Sequence, residues 1–531
     1  MSDERHYCDL LVIGTGIAGL SAAMSAHDAG LDVIVISKES DIRESNTCHA
    51  QGGIVCQGED DSPELLTRDV VEAGDGISNP EAVAVLASEG PVAVEEFLIE
   101  KVGVPFARTS AGTFEYAQEG NHSRRRILHA MDRTGKAIEE ALVARLSGMS
   151  DIRVFPGYTA IDLLTLPHHS KSPLSLYEEP TCIGAYVLNN RTEKVERIFA
   201  SCTILATGGL GRIFQHTTNP HCATGDGYAM AARAGARLIN MEYVQFHPTT
   251  LFHKDADGFL ISEAVRGEGG RLFTKDGSHF MEKYSSLGDL APRDEVCRAM
   301  YEEMIKRGDA YVYLNIAPYA HVDVKERFPE IYGKCLSLGI DMAAEPIPVV
   351  PAAHYSCGGV HVDLWGRTSL KNLYAAGEVS ATGLHGANRL ASTSLLEGLV
   401  WGLRSVQHIG AHLKREKHYK ESDIPEWIYP DQEDETDPAL IQQDWLSIKS
   451  TMWNYVGIIR TEKRLERATA DLRYLSNRID DFYRKSHLNP MIVSLRNGVQ
   501  TAFLVASAAF RNRKSRGTHY IARASDRSRA V

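Results

Sequence analysis

The stretch DLLVIGTGIAGLSAA, residues 9–23, sets the fold class. Its first part is a short apolar run that suits a buried strand. It leads directly into Gly14-Thr15-Gly16-Ile17-Ala18-Gly19, a G-x-G-x-x-G turn, and then into an alanine-rich helical stretch. LDVIVIS, residues 31–37, reads as the next strand. Strand, glycine turn, helix and strand within about 30 residues is the context that gives this hexapeptide its meaning. The glycines allow a tight turn, backbone approach to a pyrophosphate and close helix–strand contact. The helix N-terminus offers N–H groups and a positive dipole end to phosphates. One departure narrows the ligand. Where an NAD site carries a ribose-binding carboxylate, this chain has Ser37-Lys38, with Glu39 following late. NAD is therefore disfavoured.

Two further runs end in small residues and glycine: CTILATGG at 202–209 and NLYAAGE at 372–378. Backbone can approach a ligand closely at such ends. Residues near 14, 208 and 377 are expected to converge on one long ligand, with most of the intervening chain inserted. No second G-x-G-x-x-G follows a strand, so no separate NAD(P)H domain is predicted. Residues 421–438, ESDIPEWIYPDQEDETDP, read as an acidic linker. Beyond them Leu465, Ala468, Leu472, Leu475, Ile479 and Phe482 recur at steps of three and four, one face of an amphipathic helix. Residues 440–515 are predicted to form a helical bundle, and the last fifteen a frayed basic tail.

The totals exclude other classes. The chain has 531 residues, enough for two to four domains, and a formal net charge of −12, which argues against a nucleic-acid partner. A local arginine cluster could still take an anionic substrate. No apolar run reaches the roughly 18 residues that span a bilayer, so no membrane partner is expected. The charged N-terminus, MSDERHYCDL, does not resemble a secretory signal. Nine scattered cysteines without a C-x-x-C pair suit reduced thiols, a cytoplasmic location and no structural metal. Cys48 beside His49 could be a ligand pair, a nucleophile with its base or a cofactor attachment point. Neighbours on an extended strand face opposite ways, which disfavours the second.

Three islands combine histidine, arginine and hydroxyls: QFHPTTL (245–251) with ISEAVRGEGG (261–270), LAPRDEV (290–296), and PAAHYSCGG (351–359) with HGANRLASTSLLEG (385–398). Any one histidine or arginine here is as well explained by a core or surface pair. Together, His247, Ser262, Glu263, Arg266, Arg293, His354, Arg389, Ser392 and Ser394 would make a compact dianion site. Residues 392–394 also look like a helix start.

VIGTGIAGLSAA, NTCHAQGGI, ILATGGLGRIF, GDGYAMAARAGA, EYVQFHPTTL, EAVRGEGG, APRDEV, AAHYSCGGV, LYAAGEVSATGLHGANRLASTSLLEG and MWNYVGIIRTEKRLERA follow one another in the chain. In that order they resemble the succinate dehydrogenase/fumarate reductase flavoprotein family, from about residue 8 to about 518. The resemblance implies an α/β fold: a Rossmann-like FAD-binding domain (1–239 and 352–420) with an inserted α+β capping domain (240–351). A linker and C-terminal helical domain (421–531) follow.

It assigns Gly14, Thr15, Gly16, Ile17, Ala18, Gly19 and Lys38 to the adenosine and pyrophosphate half of FAD. Ser45, Asn46, Thr47, Ala50, Gln51, Gly52 and Gly53 run along the flavin half, with Asp226, Glu378, Ser394 and Leu395 completing the site. The helix start at 392–394 would then face the flavin and stabilise its anionic reduced ring. Asn46 stands where quinone-linked members carry the histidine bonded to FAD, so non-covalent FAD is expected. Those members also have a longer C-terminal region that docks an iron–sulfur subunit.

Glu119, in YAQEGNHSRRRILHA, resembles the glutamate with which some members orient a substrate ammonium. The implied reaction is oxidation of L-aspartate to iminoaspartate by hydride transfer to FAD, opening NAD biosynthesis. FAD would be reoxidised by dioxygen, giving hydrogen peroxide, or by fumarate. His247 and Ser262 would hold one carboxylate and His354 with Arg389 the other, with Ser392 beside them. Arg293 would handle the proton or act electrostatically, with Glu263 and Arg266 as a relay. Ser262 stands where threonine is frequent and Thr393 where asparagine is. Quinolinate synthase is an expected transient partner for the unstable imine. The alternatives are a soluble fumarate reductase, a flavin-binding module without catalysis, and an NAD-dependent dehydrogenase. Glu119, the intact histidine–arginine set and Ser37, respectively, speak against them.

Overall fold

The structure is a computed structural model that describes residues 7–320, 322–415, 419–430 and 436–522. Tyr7–Ile13 is a strand buried along nearly its whole length, as a central parallel strand must be. It pairs in parallel with Val33–Ser37 on one side and Lys194–Leu205 on the other. Arg153–Pro156 extends the sheet beyond Val33–Ser37 in parallel. Beyond Lys194–Leu205 lie the antiparallel strands Cys182–Asn189 and Tyr158–Thr165, and Leu373–Ala375 pairs in parallel with its last residues.

Five parallel strands therefore end on one edge, at Gly14, Lys38, Gly157, Ala206 and Ala376. That edge is where ligands bind in open α/β sheets. The helix Ile17–Asp28 follows the glycine turn and packs on the long helix Ser394–His412. Glycine permits this contact: a Cβ on Gly402 would lie 2.7 Å from Ala18 O. The expected α/β architecture is present.

The strands Val244–Leu251 and Ile347–Ser356 pair with each other and reach a second sheet, completed by Val312–Asn315 and Arg271–Phe273. Between them a separate apolar core forms from residues such as Ile261, Leu272, Phe280, Met300, Leu314 and Phe328. The Val244–Leu251 register shifts at Gln245/Phe246 and again at His247/Thr250. Pro248 cannot donate to the ladder, and such irregularities re-aim side chains.

The C-terminal helices are Pro438–Val456, Glu462–Lys485 and Pro490–Arg511. Asp437, Thr461 and Asn489 cap them through their side chains. The predicted stripe from Leu465 to Ile479 is buried, with Phe482 half-buried. These helices do not stand apart, because their buried residues join the core of the nucleotide sheet.

Two expectations need correction. The acidic linker is partly pinned: Ile424 is buried, its carbonyl accepts from Arg197, and Pro425 O accepts from Tyr186. Residues 431–435 lie outside the described residues. The start of the expected tail is packed, since Thr518 and His519 are buried. Arg460 is fully buried nearby and donates to Val456 O, Gly457 O, Glu242 O and His519 Nδ1, so the tail supplies one of the acceptors that burial of this cation needs. Residues 523–531 and the N-terminal six lie outside the described residues. Among the described residues no helix is long and apolar enough to cross a membrane.

Candidate active site

One cavity of about 1680 Å³, including its mouth, runs from the sheet edge to the inserted sheet. Gly14 to Ala18, Lys38, Ser45 to Thr47, Ala50 to Gly53, Asp226, Glu378, Ser394 and Leu395 all line it. So do Glu119, His247, Ser262, Glu263, Arg293, His354, Arg389 and Ser392. Two of the predicted residues do not. A Cβ on Gly19 would lie 2.1 Å from Gly14 O, so Gly19 serves turn packing. Arg266 is buried behind Glu263, with its Nη2 3.9 Å from Glu263 Oε1.

At the sheet end, Gly14 adopts φ +117°, and a Cβ there would lie 2.1 Å from Ala206 O. The helix Ile17–Asp28 begins at Gly16, which brings no capping side chain; Thr47 Oγ1 takes only the Ile17 N–H. The helix Ser394–His412 also begins at the cavity without a side-chain cap. Two open N-termini at one cavity favour an anionic occupant. Lys38 Nζ donates to Asp226 Oδ2 at 2.7 Å and Thr224 Oγ1 at 2.8 Å. Burial works against the Lys38 charge, but Asp226 outweighs it and holds the ammonium above its ordinary pKa. Asn497, from the last helix, donates to Asp226 Oδ1 at 2.9 Å.

In the middle of the cavity Asn46 Nδ2 donates to Glu378 Oε2 at 2.7 Å, and Ser356 N donates to Oε1 at 3.0 Å. Burial pushes the Glu378 carboxyl up to about 7 against these bonds. Asn46 Oδ1, Gln51 Oε1 and Thr207 Oγ1 are buried on the lining without a protein partner among the described residues. A glycine cradle, two open helix ends and orphaned polar atoms fit a long dinucleotide cofactor.

The far end is built differently. His247 is fully buried, and its Nδ1 accepts from Thr249 N at 3.2 Å. Burial, then Arg293, drives its pKa well below the ordinary value, so the ring is neutral with its proton on Nε2. Among the described residues that Nε2 has no protein partner. His354 is likewise neutral, through burial and then Arg389, and its Nδ1 bonds the Thr218 hydroxyl at 2.8 Å. The two rings lie 5.3 Å apart.

Arg389 donates from Nη1 to Ser394 Oγ at 3.0 Å, and its Nε is unpartnered. Arg293 donates from Nε to Glu263 Oε2 at 2.6 Å and from Nη1 to Gln245 Oε1 at 3.2 Å. Burial would raise the Glu263 pKa, but Arg293 and Arg266 outweigh it and hold it down at about 2. Ser262 caps the short helix Glu263–Gly267. Facing this set, Glu119 Oε2 accepts from Ser392 Oγ at 2.7 Å, and Ser392 Oγ itself accepts from Gly53 N at 3.2 Å. Burial pushes the Glu119 carboxyl above its usual range.

Sequence reading missed Tyr355, Thr207 and Thr218 on the lining and Gln245 and Asn497 behind it. Gln245, Tyr355 and Thr207 had a local signal, their places in QFHPTTL, PAAHYSCGG and CTILATGG; Thr218 and Asn497 had none. The Cys48–His49 pair is not a nucleophile with its base. Burial pushes the thiol up to about 11, and His49 Nε2 pairs with Glu44 Oε1 at 3.0 Å. One H-x-x-x-H pair exists, His408 and His412, with rings stacked at 4.2 Å; neither lines the cavity. Among the described residues no three potential metal ligands cluster.

Comparison with known proteins identifies the class. Residues 9–395 match the FAD-binding domain model, and residues 446–529 match the fumarate reductase flavoprotein C-terminal model. In fold the chain is similar to a quinol–fumarate reductase of E. coli, with 28% identity and a TM-score of 0.85 over 98% of this chain and 91% of that one. The chain thus belongs to the FAD-binding flavoprotein family of succinate dehydrogenases and fumarate reductases. Within it, the similarity is to L-aspartate oxidases. That of Yersinia pestis is 44% identical over 98% of this chain and 96% of its own length. L-aspartate oxidase 1 of Ralstonia nicotianae is 43% identical over 96% and 94%. The chain is an FAD-dependent enzyme of that branch.

Proposed function

We propose that the chain oxidises L-aspartate to iminoaspartate with non-covalently held FAD. The observation that carries this is Glu119, a carboxylate set among the histidines and arginines of the far end. Succinate and fumarate carry no cation to meet it; the ammonium of aspartate does. When bound, FAD supplies the acceptor for the hydride that leaves the substrate Cα. Asn46, whose amide bonds Glu378, offers no ring nitrogen for a covalent flavin link.

The protein's part is binding and charge placement. His247 Nε2–H and the Ser262 hydroxyl would hold one substrate carboxylate, and His354 with the free Arg389 Nε the other. Neutral imidazoles donate without a counter-ion, which suits a site that must also release its product. Glu119 would take the ammonium, the closer charge drawing it to the ionised form. Arg293 would stabilise charge at the reacting carbons. When fumarate is the substrate, it would hand over a proton refilled through Glu263 and Arg266. The 2.6 Å Arg293–Glu263 bond is the contact that supports this relay.

Several further readings go with this proposal. They are reoxidation by dioxygen with release of peroxide or by fumarate, a place at the start of NAD biosynthesis, transient handover to quinolinate synthase, and a cytoplasmic location. All nine cysteines are unpaired thiols, which supports the last. We also divide the chain as expected: 1–239 with 352–420 for FAD, 240–351 as cap, 421–531 as linker and helices. The cap's separate core supports that division.

The test is direct. Acid precipitation should release yellow FAD into the supernatant. Peroxide should then form with L-aspartate and not with D-aspartate or succinate. Peroxide with succinate alone would replace the proposal with a succinate-oxidising flavoprotein.

A further inference from the structure

Arg389 is a buried cation without an ion-pair partner. It is 6% exposed, and among the described residues no carboxylate lies within salt-bridge distance of it. Arg293 close by has Glu263, and the two guanidiniums repel each other. An uncompensated buried charge is costly, so something must offset it.

Glu378 favours the charge from a distance, and the group in contact with it is an aromatic face. The Arg389 guanidinium carbon lies 4.7 Å from the centroid of the Tyr355 ring. The Tyr355 hydroxyl donates at 2.8 Å to Glu397 Oε2, a residue that does not line the cavity. Glu397, on the helix Ser394–His412, is 1% exposed and also accepts from Thr382 Oγ1 at 2.6 Å and His385 Nε2 at 2.9 Å. Burial opposes its charge, but His385 and the three bonds keep the carboxylate ionised. A phenol bonded to an anion has a more negative ring face, and such a face attracts a guanidinium.

We propose that Tyr355 and Glu397 are positioning residues that seat Arg389: Glu397, itself paired with His385, fixes and polarises the Tyr355 ring through the hydroxyl bond, and the ring so tuned sets dicarboxylate affinity. This rests on the reading that Arg389 holds a substrate carboxylate. The geometry solves a conflict. A carboxylate placed directly on Arg389 would occupy the N–H fork that a substrate carboxylate needs, and every binding event would have to break that pair. An aromatic face steadies the cation and leaves its donors free; Nε is indeed unpartnered.

The experiment is titration of the holoenzyme with malonate, a dicarboxylate it should bind without oxidising, followed by the shift in flavin absorbance. Tyr355→Phe keeps the ring and loses the link to Glu397; Kd should rise about three- to tenfold. Tyr355→Leu removes the ring and should cost more than Tyr355→Phe. Glu397→Gln should match Tyr355→Phe. The double variant Tyr355→Phe/Glu397→Gln should be no worse than either single, a coupling that general loosening of the fold would not produce. Wild-type affinity in Tyr355→Leu would overturn the proposal, as would fully additive losses in the double variant. Failure of the wild type itself to bind malonate would instead sink the underlying reading of Arg389, and the proposal with it.

Discussion

The two ends of the cavity solve opposite problems. At the sheet end the charges are paired within the protein: Lys38 has Asp226, and Asp226 has Asn497 and Thr224. At the far end Arg293 is paired with Glu263, but other groups are left free: among the described residues His247 Nε2 and Arg389 Nε have no protein partner, and Glu119 has one hydroxyl and no cation within ion-pair distance. A resident cofactor can be met by side-chain charges already paired, with open helix ends and backbone left for its phosphates. A substrate that comes and goes needs groups whose pairing is deferred until it arrives. Pairing within the site versus pairing reserved for the ligand is thus what separates a retention surface from a reaction surface.

The sharpest way to break this contrast is at Arg389. Arg389→Leu removes a donor set that only the substrate completes. We expect kcat/KM for L-aspartate to fall about a thousandfold while bound FAD, measured by absorbance after acid release, stays stoichiometric. Loss of FAD together with activity would mean the two ends are not separable. Glu119→Gln is the next largest. It should lower kcat/KM for L-aspartate about a hundredfold and fumarate reduction far less, because only aspartate brings an ammonium. Equal losses in the two assays would show that Glu119 does not read the amine.

How far the sequence reveals each end depends on how local its parts are. The glycine cradle is one hexapeptide between two strands, so Gly14, Thr15, Gly16 and their strands are legible at once. The far end is also legible as composition, because His247, Arg293, His354 and Arg389 sit in short polar islands amid apolar sequence. What links distant segments is not legible. Asn497 looks like an ordinary polar residue of a helix until folding brings it 271 positions back to Asp226. Tyr355 reads only as the neighbour of His354, and Glu397 only as a charge in a helix, until the ring and carboxylate meet. Arg460 gives no hint that the tail must fold over it. Gly19 is legible in a different way: the motif gives one glycine to close packing, and a Cβ on Gly19 would lie 2.1 Å from Gly14 O.

At the sheet end the contrast predicts an effect on retention rather than turnover. Asp226→Ala would leave the buried Lys38 ammonium without its counter-ion and strip Asn497 of its acceptor. FAD affinity, measured by fluorescence as the cofactor is titrated into FAD-free protein, should weaken about tenfold. The KM for L-aspartate at saturating FAD should hardly move. A changed KM with unchanged FAD affinity would reverse the assignment of the two ends.

The smallest effect belongs to Glu378, which lies between the two ends and is neither fully paired nor free. Its folded pKa of about 7 stands above the ordinary 4.5, so the folded protein holds that proton more tightly than the unfolded chain. The stability it contributes is complete below about pH 4.5 and is lost as pH rises through about 7. Glu378→Gln cannot ionise and escapes that loss, while its amide oxygen can still accept from Ser356 N. In FAD-free protein the melting midpoint of the variant should therefore gain on wild type between about pH 5 and about pH 8, by on the order of a few degrees. A constant difference across that range would mean the carboxyl is already ionised at the lower pH, and the middle of the cavity would then belong with the paired, cofactor-retaining end.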